Sequence, residues 1–540
     1  MAQELDGGGL GGRGLGGDAL EDGALDDGAL AAQSAQSSGR QAQAVLDGDA
    51  LGGSGLGDGA LDGGALGSRG LGGDALEDGA LAARSAESSG RQARAVLESD
   101  GRVRSAGRRP RRGLGDGDRA ALRAWGATRL GMIVLAWMSA WVFATAATTP
   151  GPWLARWDRW DEGIFTSIAQ HWYFAAGTDP RHVAFFPGFP VAMWLTHLLV
   201  RNWVAAGLVV SAVGSAVATV ALGRLAAQEV EGAWVRRGRD RNPLDAVLRL
   251  PRMRGANNAD NHAALKRAEV PDSEPASVPQ ASPRLPLTVR ARAKRAGANA
   301  ALFFTLAPAA VFLAAGYSES LFAAFAFSAW AAARRDRWVS AVVLAAAASA
   351  VRVNGLFLAA AIALEFVLAG RARRRWRQAP LLVVPALPVA AYVLYLHHDT
   401  GDWFAWQHAQ AAGWFRTFRN PKYAWDQTWR AAFGASQAGH TAWVFQLELL
   451  AVVVGLGLTA LLLLKRRWPE ALYVALSLLA LGTTTWFMSV PRTMLLWWPL
   501  WTMLGAWATR RPAVRTLYLC CVAPVMAGVA LLFLSGQWAG

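Results

Sequence analysis

Residues 443–467 read WVFQLELLAVVVGLGLTALLLLKRR, a long apolar run interrupted by one acid, Glu448, and closed by three consecutive cations. At about 1.5 Å of rise per residue, a helix over such a run covers the roughly 30 Å of hydrocarbon in a bilayer. Lys465-Arg466-Arg467 is the kind of positive cluster that is retained on the cytoplasmic side. This pattern, apolar run followed by basic stop, decides the fold class, because it recurs along the chain.

The 540 residues are 53% hydrophobic and include 26 Trp against 7 Tyr, more apolar and indole surface than one soluble core needs. The net charge of +15 raises nucleic-acid binding as a possibility. The arginines, however, cluster between apolar runs, where the positive-inside effect puts them, so no nucleic-acid partner is expected and membrane lipids are. Cys520 and Cys521 are adjacent within an apolar run and supply neither a disulfide framework nor a zinc site. The first apolar run begins at Leu130, so the first span is expected to act as its own insertion signal.

Residues 1–118 are low-complexity and contain a degenerate duplication. LGGDALEDGAL occurs at Leu15 and again at Leu71, and AAQSAQSSGRQAQAVLDGD from Ala31 returns as AARSAESSGRQARAVLESD from Ala82. Such a segment buries too little apolar area to offset its ordering entropy and reads as a disordered cytoplasmic tail. Residues 227–296, rich in Pro, Ser and Arg, read as a disordered basic cytoplasmic insertion for the same reason.

Taking the basic stretches Arg102 to Arg123 and Arg236 to Arg295 as cytoplasmic, the number of crossings between them must be even. Apolar runs at 126–148 and 204–226 satisfy this. The third candidate, 183–201, is broken by Pro187, Gly188 and Pro190 and is expected to be interfacial or re-entrant. Further spans are expected at 297–315 and 319–333, as a short pair turning at Arg352-Val353-Asn354-Gly355, and at 379–396, 443–464, 470–487, 494–508 and 516–536. The result is an all-α polytopic membrane protein of about eleven transmembrane helices with a cytoplasmic N-terminus. A first membrane segment, 119–226, carries an external loop at 149–203; a second, 297–540, carries another at 397–443. Parity then puts Asp161, Tyr317-Ser318-Glu319, Arg352 with Asn354, His397-His398 and Arg492 on one side, outside the cell membrane.

The first external loop, residues 156–190, reads RWDRWDEGIFTSIAQHWYFAAGTDPRHVAFFPGFP. Ile164, Ile168 and His171 or Trp172 share one face of an amphipathic helix suited to the interface plane. An Asp at that edge of low dielectric can take a proton from a hydroxyl; alone, the same composition also suits an aromatic belt with a solvated acid. Ser318 equally suits an N-cap, Arg352 also suits balancing Glu319 at the turn, and Glu365 and Glu448 are expected to snorkel from span ends. In the loop 397–443, aromatics beside Asp402, Gln407 and His408 can stack on sugar rings or anchor the loop at the interface.

Arg159-Trp160-Asp161, then Ile168-Ala169-Gln170-His171 and Tyr173, then Ala184-Phe185-Phe186-Pro187-Gly188-Phe189-Pro190, resemble PIG-V-type mannosyltransferases and their actinobacterial relatives. The resemblance continues through Pro308, Gly316-Tyr317-Ser318-Glu319-Ser320-Leu321-Phe322, Arg352-Val353-Asn354-Gly355 and Ser489-Val490-Pro491-Arg492. Two positions depart from it: Ile164 stands where the family often has His, and Trp172 where it usually has Gly.

The resemblance implies a GT-C-like helical bundle that transfers mannose from polyprenyl-phosphate-mannose to a lipid-linked or glycan acceptor. Asp161 is the implied general base, within Arg159-Trp160-Asp161. The implied substrate-binding residues are Arg352, Arg492, Glu319, Tyr317, Asn354, Phe186 and Pro187; His397 and Gln407 are added as candidates from the second external loop alone. Arg352 and Arg492 suit the leaving phosphate, since a guanidinium fork matches phosphate oxygens. No metal and no cofactor is expected beyond the lipid-linked donor, and the first loop has no DxD motif. The competing readings are a transporter or lipid carrier that binds an anion at the same residues without chemistry, and a non-catalytic subunit of a glycosylation complex.

Overall fold

The computed structural model describes residues 114–142, 153–240, 285–369, 376–435, 437 and 439–540, without the side chains of 141–142 and 235–240. Its regular elements are all helical, and no strand occurs among the described residues. In chain order they are α1 (Asp116–Val142), α2 (Asp161–His171), α3 (Gly188–Val200), α4 (Trp203–Asp240), α5 (Leu287–Thr305), α6 (Ser318–Ala333), α7 (Trp338–Val351) and α8 (Asn354–Leu368). There follow a 3₁₀ segment (Trp376–Ala386) running into α9 (Leu387–Thr400), then α10 (Ala405–Trp414), α11 (Pro421–Phe433), α12 (Gly439–Leu464), α13 (Trp468–Gly482), α14 (Val490–Met494), α15 (Trp498–Arg510) and α16 (Pro512–Leu534).

Among the described residues, four segments are long and apolar enough to cross a membrane by length and composition: Trp203–Trp234, Trp376–Thr400, Gly439–Leu464 and Pro512–Leu534. The broken run 183–201 becomes a 3₁₀ turn at Pro180–Ala184 and the 13-residue α3, whose length covers only about 20 Å. The expected turn at 352–355 separates α7 from α8.

Several boundaries differ from the expected ones. The span expected at 297–315 is helical over Leu287–Thr305 and then breaks at a 3₁₀ turn, Ala310–Leu313, so the helix begins and ends earlier. The insertion expected at 227–296 is helical at both edges, where α4 continues to Asp240 and α5 starts at Leu287. Helix propensity extends an anchored helix past its apolar run, which hydropathy alone does not register. The span expected to start at 494 starts at Trp498, behind the separate short helix α14. The repetitive tail through residue 113, residues 143–152 of the first span and loop, and residues 241–284 of the insertion lie outside the described residues.

α4, α5, α6 and α15 pack together as the centre of the bundle. Small residues set their spacing. A Cβ on Gly297 would stand 2.6 Å from the Gly223 carbonyl oxygen, and one on Gly505 2.6 Å from that of Ala296, so α5 meets α4 and α15 backbone to backbone. Lipid provides no hydrophobic drive between apolar helices, and such close approaches supply dispersion contacts in its place. The buried tryptophans Trp330, Trp498 and Trp501 fill the wider gaps, with Trp330 and Trp498 centroids 5.0 Å apart.

Candidate active site

Four of the expected residues meet at one point of the fold. Arg492, on α14, donates through Nε to Glu319 Oε1 at 2.8 Å and through Nη2 to Asp161 Oδ2 at 2.9 Å. Arg352, in the turn between α7 and α8, reaches the same Glu319 oxygen through Nη1 at 2.8 Å and also donates to Ser318 Oγ at 2.8 Å. Glu319 is wholly buried, and a carboxylate there is tenable because two guanidinium groups compensate it. Ser318 is the first residue of α6, and no side chain caps that helix; the hydroxyl expected as a cap serves Arg352.

Aromatic rings floor this cluster. The Arg492 guanidinium lies over Phe312 at 4.6 Å and over Tyr317 at 4.9 Å, so its charge faces two negative ring faces. The Tyr317 hydroxyl donates to the Arg159 carbonyl at 2.9 Å and accepts from the Asp161 N–H at 3.3 Å. This ties the start of α2 to the start of α6. Trp160, between those two contacts, has φ 55° and ψ −116°, a costly conformation for a bulky residue that turns Asp161 toward Arg492. Among the described residues nothing donates to Asp161 Oδ1, so one oxygen of this half-buried carboxylate is open.

Behind Asp161 stands Glu162, fully buried, with Oε2 accepting from the Gly316 N–H at 3.2 Å and Oε1 without a partner. Burial, and next the charge of Asp158, hold its carboxyl well above the ordinary range. Asp158, the first acid of the doubled Arg-Trp-Asp, is itself raised by burial. Neither acid is bonded to Arg352 or Arg492.

Glu448 does not snorkel. It is wholly buried on α12, and its two oxygens accept from the Ser489 and Val490 N–H groups at 2.8 Å each. These bonds fix Ser489 at φ 66° and with it the helix start that carries Arg492. Glu365 pairs with Arg334 at 2.8 Å. Hydropathy gave no hint of Glu448's role, since its partners are backbone amides.

Arg416 is a further member that the sequence reading passed over. Its guanidinium is pushed down to about 10 by burial and then by the charges of Arg352 and Arg492, which brings a third arginine into range of the cluster. One signal was available, an Arg among aromatics in an external loop, but Arg419 shares it.

Other expected residues stand apart. Phe186 is buried against Tyr392 and Trp406, with centroids at 5.0 and 6.0 Å, and Pro187 precedes α3. His397 stacks on Trp403 at 3.7 Å. Gln407 is exposed on α10, and Asn354 is half-buried as the first residue of α8. No hydrogen bond joins the side chains of His397, Gln407 or Asn354 to the cluster among the described residues. Nor does any group of three or more His, Cys, Asp or Glu residues there form a metal-holding set.

The fold and this site define a polytopic helical membrane protein with a compact Asp-Arg-Glu-Arg constellation at one end of its bundle. The family described as "Mannosyltransferase (PIG-V)" has a model that matches residues 286–372, the stretch that holds Tyr317, Glu319 and Arg352. Curated relatives include GPI alpha-1,6-mannosyltransferase 2 of Homo sapiens, 58% identical over 57 residues, which are 11% of this chain and 12% of that protein. The Rattus norvegicus protein of the same name is 59% identical over 58 residues, 11% of this chain and 12% of its own length. The Mus musculus protein is 49% identical over 75 residues, 14% of each. The chain thus matches a small part of each relative's length. The resemblance to PIG-V-type mannosyltransferases read from the sequence is borne out over that part. No solved structure matches the chain.

Proposed function

We propose that the chain is an integral-membrane mannosyltransferase that moves mannose from polyprenyl-phosphate-mannose to a hydroxyl of a lipid-linked or glycan acceptor on the extracytoplasmic face. Asp161 Oδ1 takes the proton of the acceptor hydroxyl, the oxygen attacks the anomeric carbon, and the bond from that carbon to the phosphate oxygen breaks with inversion. Polyprenyl phosphate leaves carrying the electron pair. Arg492 holds Asp161 in place through its Oδ2 while Glu319, itself paired with Arg352, holds Arg492.

The observation that carries this reading is the bridge Asp161–Arg492–Glu319, which joins the first loop to α6 and α14 and leaves one Asp161 oxygen open. A base needs fixed geometry and a free lone pair, and this arrangement supplies both. Its test is labelled polyprenyl-phosphate-mannose given to membranes carrying wild type or Asp161→Asn. Wild type is expected to yield labelled product and the variant about 10²–10⁴-fold less. Equal labelling by both removes Asp161 from the mechanism, and labelling by neither favours the carrier or subunit readings.

A further inference from the structure

Each acid of the site already has partners. Glu319 Oε1 accepts from both Arg352 and Arg492, Asp161 Oδ2 accepts from Arg492, and both oxygens of Glu448 accept from the amides of Ser489 and Val490. Arg492 is correspondingly engaged through Nε and Nη2, and Arg352 through Nη1. Arg416 is different: among the described residues its guanidinium makes no ion pair and no hydrogen bond, although it lies within electrostatic range of Arg352, Arg492, Asp161 and Glu448. As a residue Arg416 is half-buried, so part of it remains accessible.

The backbone that carries Arg416 is fixed from three sides. Phe415 ends α10 at φ 52°, and the Arg416 N–H donates to the Gln410 carbonyl at 3.3 Å. The Phe415 carbonyl accepts from Thr485 Oγ1 at 2.7 Å, and the Arg419 N–H donates to the Thr483 carbonyl at 3.0 Å. Gln410 itself donates through Nε2 to the Ala184 carbonyl at 3.0 Å, which ties α10 to the first loop. A guanidinium held on so constrained a stem loses little entropy on meeting an anion.

We infer that Arg416 is the phosphate anchor of this site, the guanidinium whose free fork receives the phosphodiester of a polyprenyl-phosphate sugar beside Arg492. The inference rests on the donor class proposed above and shifts the phosphate contact from the two paired arginines to the unpaired one. Arg352 and Arg492 supply positive potential around the leaving oxygen, and Arg416 supplies the hydrogen bonds.

Binding separates this inference from the transfer reaction. The full chain in detergent is titrated with polyprenyl phosphate and, as a control, with uncharged polyprenol, in wild type, Asp161→Asn, Arg416→Gln and Arg416→Lys. Wild type and Asp161→Asn are expected to bind the phosphate in preference to the alcohol. Arg416→Gln should lose at least about tenfold in phosphate affinity with polyprenol affinity unchanged, as the loss of a charge-assisted contact requires. Arg416→Lys, which keeps the charge without the fork, should fall between. Equal affinity of Arg416→Gln and wild type for polyprenyl phosphate overturns the inference, as does a wild type that does not distinguish phosphate from alcohol. Unfolding of Arg416→Gln moves the decision to Arg416→Lys, whose affinity must fall below that of wild type. Phosphate binding through Arg416 without any transfer would refute the mannosyltransferase reading and leave this assignment standing.

Discussion

Asp161 and Arg492 are 331 residues apart in the chain and 2.9 Å apart in space. That contact closes a chain of ion pairs from α2 through α14 to α6 and the α7–α8 turn, with Glu319 at its centre. This charged chain fixes how the first loop sits on the helices, and each of its members is open to test.

Glu319 is the most consequential of them for stability. Replacing it with Ala leaves the guanidinium groups of Arg352 and Arg492 buried without their shared acceptor. Breaking a buried pair on one side costs roughly 3–5 kcal/mol. Glu319→Ala is expected to lower the unfolding temperature of the detergent-solubilised protein sharply, whereas Glu319→Gln, which keeps an acceptor oxygen, should lower it less. An unchanged unfolding temperature in Glu319→Ala would show that the pairs carry no net stability.

Trp172 marks a departure from the resembled family that has a backbone cost. It ends α2 at φ 65° and ψ −161°, a region essentially reserved for glycine, and its ring is largely exposed beside Tyr173. The family usually places Gly there. Trp172→Gly is therefore expected to raise stability by about 1 kcal/mol, since relief of strain of order 1–3 kcal/mol is partly offset by the greater freedom of glycine in the unfolded chain. Thermal unfolding reads the sign.

Much of this architecture was legible in the chain itself. Runs such as 443–464 announce helices, because backbone groups in lipid must be satisfied within the segment, and Pro187, Gly188 and Pro190 announced that 183–201 would not run straight. The meeting of Arg492 with Asp161 was readable only as a shared side of the membrane, since spacing along the sequence carries no distance between loops. Glu448 was unreadable, because its partners are the amides of Ser489 and Val490 and every residue has an amide. Arg416 was missed because its significance lies in having no bonded acid although Asp161 and Glu448 are in electrostatic range, and neither fact is written in the spacing of the chain.

The sidedness of the site is open to direct chemistry. Thr178 is poorly suited as a probe position, because its hydroxyl donates to the Tyr173 and Ala175 carbonyls at 2.9 and 2.8 Å. Ala176, in the same loop, is exposed. In a chain with Cys520 and Cys521 replaced by Ser, Ala176→Cys is expected to react with an impermeant thiol reagent in intact cells. Protection there, with labelling after permeabilisation, would invert the orientation.

Glu162 gives the site a pH signature with a definite sign. Burial and the neighbouring Asp158 hold its carboxyl well above its ordinary 4.5, so between that value and its folded value the native state binds a proton that the unfolded chain has lost. Its contribution is therefore fully present below about 4.5 and declines as pH rises toward the folded value. The groups around it are Asp158, the Gly316 N–H and the backbone at Gly207, none of which supplies a cation. Glu162→Gln stays neutral at every pH and keeps an acceptor for Gly316. The unfolding temperature of wild type, measured against that of the variant, is expected to fall progressively as pH is raised above 4.5. Parallel curves across this range would mean that Glu162 is ionised in the folded protein, and Gly316 would then be held by a carboxylate.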